Sequence, residues 1–277
     1  MDLVVTTDVG PRMVHLGFHD GVNLMKNYEE FMGKSGGDEW CIYGGHRLWH
    51  APEVDPRTYV PDNDPVECSW EDGVLQLRPA AEESTGLRKE IDIALDPEDN
   101  RVTLTHRLFN DNPWNVTFAP WCLSVMAEGG RAIVPQEEYR PHPEYLLPAR
   151  PMTLWHYTDL SDPRWTFSTR YIQLHQNPSA TSKQKIGMLN RQGWAAYELD
   201  GHVLIKHYAC EDGADYPDFG CNTEVFTDPT MLELETLGPL QAVAPGACAE
   251  HVELWTLHRV DVGDTDDAID ASLLPLV

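Results

Sequence analysis

The chain has 277 residues, 42% hydrophobic and 23% charged, an ordinary globular composition that excludes global disorder. Its 20 Lys and Arg stand against 45 Asp and Glu, a formal net charge of −25 that repels phosphate backbones and anionic membranes, so nucleic acid and membrane surfaces are not expected partners. No apolar run approaches the roughly 20 residues that span a bilayer. The start, Met1-Asp2-Leu3-Val4-Val5, shows no basic segment ahead of an apolar one, and the expected location is cytoplasmic.

Cys41, Cys68, Cys122, Cys210, Cys221 and Cys248 lie far apart with no C-x-x-C pair, so they read as reduced thiols rather than a disulfide framework. The acid excess is spread along the chain, which suits a salt-adapted protein or an ordinary acidic one.

In chain order, Leu3 to Thr6 and Met13 to Phe18 form a first hairpin around the turn signal Asp8-Val9-Gly10-Pro11. Residues 27 to 38 are polar and Gly-rich, a loop or short helix. They lead into Gly44-Gly45-His46-Arg47-Leu48-Trp49-His50-Ala51-Pro52-Glu53, the densest cluster of chemically able side chains in the sequence. A Pro- and Asp-rich surface loop follows to Pro65. Val66 to Trp70 and Val74 to Arg78 flank Glu71-Asp72-Gly73, a hairpin signature. Arg88 to Leu95 and Arg101 to Phe109 alternate, the second gathering Val102, Leu104, His106 and Leu108. Val116 to Met126 is apolar enough for burial on both faces.

Residues 135 to 163 form a long proline- and aromatic-rich excursion. Strands resume at Arg170 to Leu174, Lys185 to Leu189, Trp194 to Leu199, His202 to Tyr208, Asn222 to Phe226, Met231 to Thr236 and His251 to His258. An acidic tail, 261 to 277, carries at most a short helix. Many short strands with frequent turns and no internal boundary point to one all-β domain over 1 to 277, an antiparallel sandwich.

His46, His50 and Glu53 have the spacing of a metal set on a helix, but Gly44-Gly45 before and Pro52 after deny that helix, and no metal is assigned. On a strand, His46, Leu48 and His50 share one face and Arg47 and Trp49 the other. These residues suit a pocket wall; the plain alternative is histidines that only bond backbone. Glu224 opens a strand, where a carboxylate can accept a proton or bind hydroxyls, although most glutamates lie on solvated faces. Glu233 and Glu235 share a face, as do His251, Glu253 and Trp255. If those two strands pair, the groups collect on one sheet surface, for which a solvated outer face is the simpler reading. Nine tryptophans is a large number, and those beside Pro, His or Arg, such as Trp49, Trp114, Trp121, Trp155 and Trp165, suit sugar stacking, though singly each is better explained as core. Hydrolase, zincin, phosphate-loop and dinucleotide motifs are missing.

Leu3 to Arg12, the GGHRLWHAPE segment (44–53), APWCLSVM (119–126) and MLELETLGPL (231–240) followed by Pro245-Gly246 resemble a bacterial family of uncharacterised proteins. That family is placed in the galactose mutarotase-like superfamily, beside aldose 1-epimerases and hexose-6-phosphate epimerases. The resemblance implies a β-supersandwich with a sugar site on the concave face of the larger sheet. It also implies a glutamate base on the anomeric hydroxyl and a histidine acid on the ring oxygen. Glu224, after Phe219-Gly220-Cys221, takes the glutamate's place. The strand expected to bear the histidine, Phe118 to Met126, has none, and Trp121 or a neighbour stands there.

The expectation is therefore a carbohydrate-active protein of the aldose 1-epimerase type that needs no cofactor. Glu224 is the base, His50 or His46 the acid, with His106 and Glu235 nearby. Arg47 is the clamp, and Trp49 and Trp121 are the stacking surfaces. The alternatives are a non-catalytic sugar-binding protein and a glycan lyase or hydrolase on the same scaffold.

Overall fold

Period-two hydrophobicity resolves into antiparallel ladders throughout the computed structural model, which describes all 277 residues. The first strands are β1 (Asp2–Val5), β2 (Met13–Gly17), β3 (Gly45–Ala51), β4 (Glu67–Glu71), β5 (Val74–Arg78), β6 (Leu87–Leu95) and β7 (Arg101–Asn110). Then come β8 (Val116–Met126), β9 (Arg131–Pro135), β10 (Met152–Leu154), β11 (Trp165–Phe167), β12 (Tyr171–His175) and β13 (Gln184–Met188). The last are β14 (Trp194–Leu199), β15 (His202–Tyr208), β16 (Thr223–Thr227), β17 (Leu232–Leu237), β18 (Gln241–Val243) and β19 (Cys248–Arg259). Two sheets result. One has the order β1-β2-β3-β8-β17-β16-β13-β10, with β18 attached to β8; the other runs β11-β12-β9-β14-β15-β19-β7-β6-β5-β4.

The expected all-β antiparallel sandwich is what forms. Leu48, Cys122, Leu234, Val225 and Ile186 of the first sheet pack against Ile91, Ile93, Leu104, Leu204 and Trp255 of the second, and this is the main core. Their alternation with outward residues on each strand sets that packing. The tail is more than an acidic run: α1 (Asp266–Leu273), capped by the Thr265 side chain, buries Ile269 and Leu273 on the back of the second sheet, against Ile133, Trp194, Val203 and Ile205. The 135 to 163 excursion is mostly loop, as expected, with β10 its one short strand.

One expected pairing does not occur. β17 and β19 belong to different sheets, so Glu233 and Glu235 do not share a surface with His251, Glu253 and Trp255. The connection from 238 to 247 crosses from one layer to the other instead of turning back as a hairpin.

Candidate functional site

The chemistry collects on the outer face of the first sheet, which with nine strands is the smaller of the two, not on the larger sheet as the resemblance implied. In register across five strands, Arg47 on β3 opposes Leu123 on β8, which opposes Glu235 on β17; Glu235 opposes Glu224 on β16, and Glu224 opposes Gly187 on β13. The row on one side carries Trp49, Trp121 and Leu237; the row on the other carries Val125, Glu233, Phe226 and Lys185. At about 4.8 Å per strand, Arg47 and Glu224 are roughly 14 Å apart across the sheet, with Leu123 and Glu235 between them.

Glycines make two of these placements possible. A Cβ on Gly45, at φ +69°, would meet the Met13 carbonyl oxygen at 2.3 Å, so the Gly-Gly entry lets β3 run close beside β2. A Cβ on Gly187 would meet Cys221 Sγ at 2.6 Å and Glu224 Cγ at 3.3 Å, so glycine there leaves room for the Glu224 side chain.

Lys185 is the hub. Its Nζ lies 2.7 Å from Glu224 Oε2 and 3.0 Å from Glu235 Oε2. The ammonium also sits 5.0 Å from the Trp121 ring centre and 4.7 Å from that of Trp155. Trp121 Nε1 donates to Glu235 Oε2 at 2.8 Å. On the other flank Arg47 Nη2 donates to Glu233 Oε1 at 3.0 Å, and the guanidinium lies over Trp49 at 4.4 Å and Trp40 at 5.6 Å. The faces of Trp49 and Trp121 expected to stack on a sugar thus hold the two cations.

Burial governs the protonation. It raises the Glu224 carboxyl well above the ordinary range; Lys185 opposes this, while Glu235 and Asp218 add to it. Burial likewise raises Glu233 against the pull of Arg47. For Lys185 burial works against the charge, yet the carboxylates of Glu224 and Glu235 outweigh it and raise the ammonium well above its usual value. Burial also pushes the Tyr157 phenol to about 12.

Glu224 and Glu235 are 0% exposed, which corrects the reading of these strand faces as solvated. Loops bearing Trp40, Tyr59 and Trp155 lie over them. Several buried polar atoms nonetheless have no hydrogen-bond partner: Oε1 of Glu224 (its Oε2 faces Lys185), Oε1 of Glu235, Nε and Nη1 of Arg47, and the indole nitrogens of Trp49 and Trp40. Buried polar groups are almost always paired, so a concentration of open donors and acceptors on one face marks a place for a polar ligand. A surface hollow of about 1220 Å³ beside Glu137, Arg150 and Arg191 contains none of these residues.

The histidines lie elsewhere. Since Arg47 and Trp49 face outward, His46, Leu48 and His50 must face inward, and all three are buried between the sheets. His106 Nδ1 donates to the His251 carbonyl at 3.1 Å, which leaves its Nε2 to accept from His46 Nε2 at 2.8 Å; Ser124 Oγ is 2.8 Å from His46 Nδ1. Burial pulls the His46 and His106 pKa values down, and takes His50 to about 3. The expectation that His46, His50 or His106 meets Glu224 across the cleft is corrected: the sheet itself stands between them. Glu53, on an exposed loop, is also removed from both histidines.

Donor atoms of His46, His106 and Cys122, and of Cys122, His251 and Glu253, lie within 4.8 Å of one another in the same interior. Glu253 is already engaged by Lys206 at 2.9 Å and Trp255 at 2.9 Å, and the histidines by one another, so hydrogen bonding accounts for this cluster.

Lys185 and Trp40 were not singled out by sequence, and Trp155 only as one of the tryptophans beside Pro, His or Arg. Lys185 left a signal: one of few lysines, it alternates with Ile186 on a strand otherwise suited to burial. The positions of the two tryptophans over the sheet left none, since loop residues carry no period that assigns a face.

No protein-family model and no curated protein sequence matches the chain. Solved structures do. A galactose mutarotase-like protein from Lactobacillus casei is 9% identical over 92% of this chain and 96% of its own, with a TM-score of 0.58. A galactose mutarotase related enzyme from Lactobacillus acidophilus is 10% identical over 95% and 100%, at 0.52. A Synechocystis protein is 11% identical over 93% and 91%, at 0.58. At such identities the likeness concerns the fold, and the chain has the galactose mutarotase-like fold that the sequence resemblance implied.

Proposed function

We propose that the outer face of the first sheet binds a sugar and opens and recloses its ring at the anomeric carbon, as an aldose 1-epimerase does, with carboxyl groups in both proton-transfer roles. The observation that carries this reading is the set of unpartnered buried carboxylate, guanidinium and indole atoms on one face, on a galactose mutarotase-like scaffold. Carboxylates and forked N–H donors match sugar hydroxyls, and the indoles keep water away.

Ring opening moves two protons. The anomeric hydroxyl gives one up as the C1–O5 bond breaks and the aldehyde forms; O5 takes one. Closing on the other face of C1 reverses both transfers, so no electron acceptor is required. Glu224, which burial pushes toward the protonated form, gives its proton to O5; Glu235, beside the Lys185 ammonium, receives the proton from O1. This reverses the base role expected of Glu224 and dispenses with a histidine. Arg47 holds a hydroxyl through its free Nε and Nη1, while Trp49 and Trp121 hold the two cations in place.

The test is a panel of aldoses followed by NMR anomer exchange on the wild type and on Glu224→Gln. Accelerated exchange that disappears in the variant, with binding retained, supports the reading. One observation favours a second reading, a sugar-binding protein without catalysis: no histidine faces Glu224. Binding without exchange by the wild type would establish it, and shortened glycans with new unsaturated ends would instead indicate a lyase.

A further inference from the structure

The least explained feature near the cleft is the turn ahead of β16. Asp218 has φ 52° and ψ 50°, Phe219 has φ 64° and ψ 28°, and Gly220 follows at φ 102°. Three successive left-handed residues form a conformation that L side chains resist and that glycine alone adopts freely. The surroundings hold it: Thr153 Oγ1 donates to the Asp218 carbonyl at 3.0 Å, Cys221 Sγ to the same oxygen at 3.1 Å, and Cys221 N to the Pro217 carbonyl at 2.7 Å. Phe219 gains no burial in return. It is 97% exposed, more than any other large hydrophobic side chain of the chain. Glycine or asparagine would suit this backbone better, so folding gives no reason for a phenylalanine here.

The turn belongs to the cleft rim. It leads directly into Glu224, and Cys221 packs where a Cβ on Gly187 would touch both Cys221 and Glu224. Its anchor, Thr153, lies on β10 two residues before Trp155, whose ring covers the Lys185 ammonium. Phe219 therefore stands outside the loop-covered carboxylates, on the same rim as Trp155, with both ring faces free.

We propose that Phe219 is a stacking platform for a second pyranose ring, so that the cleft accepts the end of a disaccharide or longer glycan and not only a monosaccharide. The inference rests on the sugar-cleft reading above. A ring seated by Glu224, Glu235 and Arg47 lies inside the aromatic cover, so only a substituent projecting from it reaches Phe219. A phenyl face with no polar partner to satisfy fits the C–H face of a pyranose, and the turn fixes the backbone that carries the ring.

The test titrates glucose against maltose and cellobiose, and galactose against galactobiose, by tryptophan fluorescence, on the wild type, Phe219→Ala and Phe219→Gly. The wild type is expected to bind a disaccharide more tightly than its monosaccharide. Phe219→Ala should weaken the disaccharide by about two- to tenfold and leave the monosaccharide unchanged. Both variants should melt at or above the wild-type Tm, since the ring buries nothing and glycine relieves the backbone. Equal affinity of the wild type for one and two rings overturns the platform and leaves the cleft standing, as does a parallel loss of both sugars in Phe219→Ala. A clear fall in Tm would make Phe219 a structural residue and also overturn the proposal. Failure of every sugar to bind removes the cleft reading and the platform with it.

Discussion

Glu224→Gln keeps the side chain's shape and removes its charge, so it tests the protonation assigned to the cleft. Burial holds the folded Glu224 carboxyl well above its ordinary value of 4.5, while the unfolded chain ionises near that value. The folded state therefore keeps a proton that the unfolded state releases. This contribution is fully present below about pH 4.5 and is lost as the pH rises through the folded pKa. One proton is worth about 1.4 kcal/mol per pH unit. With about 2.1 cal/mol/K of unfolding entropy per residue, a chain of 277 residues has about 0.6 kcal/mol/K. Glu224 should thus lower the wild-type Tm by about 2 °C per pH unit in that window, and glutamine should not. Calorimetric melts of both proteins at half-unit steps from pH 4.5 to 8.5, at fixed ionic strength, should show the variant's relative Tm climbing from about zero and then levelling off. A flat difference means that folded Glu224 ionises like the unfolded residue. A growing deficit in the variant means that the Lys185 ion pair outweighs burial. Either result refutes Glu224 as the acid.

Lys185→Met leaves Glu224 and Glu235 opposite each other without their cation; at about 3–5 kcal/mol for a broken buried pair, Tm should fall by about 5–9 °C at pH 8 and less at pH 5, read in the same melts. His50 has both ring nitrogens unpartnered and a pKa near 3, so its folded state binds fewer protons than the unfolded one, and its contribution, present above about 6.5, is lost as the pH falls. His50→Leu should match or exceed wild-type stability by about 1–2 kcal/mol at neutral pH, gain further below pH 6.5, and leave anomer exchange unchanged; loss of exchange would return His50 to the chemistry. Thr236 accepts from His251 and donates to Glu253, so Thr236→Val should cost about 2–3 kcal/mol and speed amide exchange along β17; unchanged exchange would deny Thr236 a part in holding that strand.

How far the sequence reaches is clearest on β3. The period of two in His46-Arg47-Leu48-Trp49-His50 already separates the histidines from Arg47 and Trp49, so no single pocket could use both sets as expected. What alternation cannot decide is which face looks inward. Leu48 alone hints at it, and the answer comes from β7, which brings His106 to His46 from 60 residues away. Glu233 and Glu235 mislead for a related reason. Paired glutamates on a strand normally face water, and only the loops bearing Trp40, Tyr59 and Trp155, far away in sequence, turn that face into a closed one. The strands themselves, from β5 to β8 and from β13 to β17, were legible because their alternation is local.

The position of the buried polar network suggests what the inward histidines do. β17 carries Leu232, Leu234 and Thr236 on one face and Glu233 and Glu235 on the other, so a slip of one residue would drive both glutamates into the core and break up the proposed acid–base pair. Apolar burial opposes that slip, but not a shift by two residues, which returns every side chain to its own face. Directional bonds tie the cleft strands to the opposite sheet: His46 of β3 to His106, Thr236 of β17 to His251 and Glu253, the Leu234 carbonyl to Lys206 at 3.2 Å, and Thr223 of β16 to Tyr208 at 2.5 Å. Every one of these contacts is buried, and each is lost or strained by either shift. We infer that the histidines serve the site by fixing the register of the strands that display it. An acid–base pair built from two neighbouring glutamates needs such a frame, since their separation is set by strand pairing and by nothing in the side chains themselves.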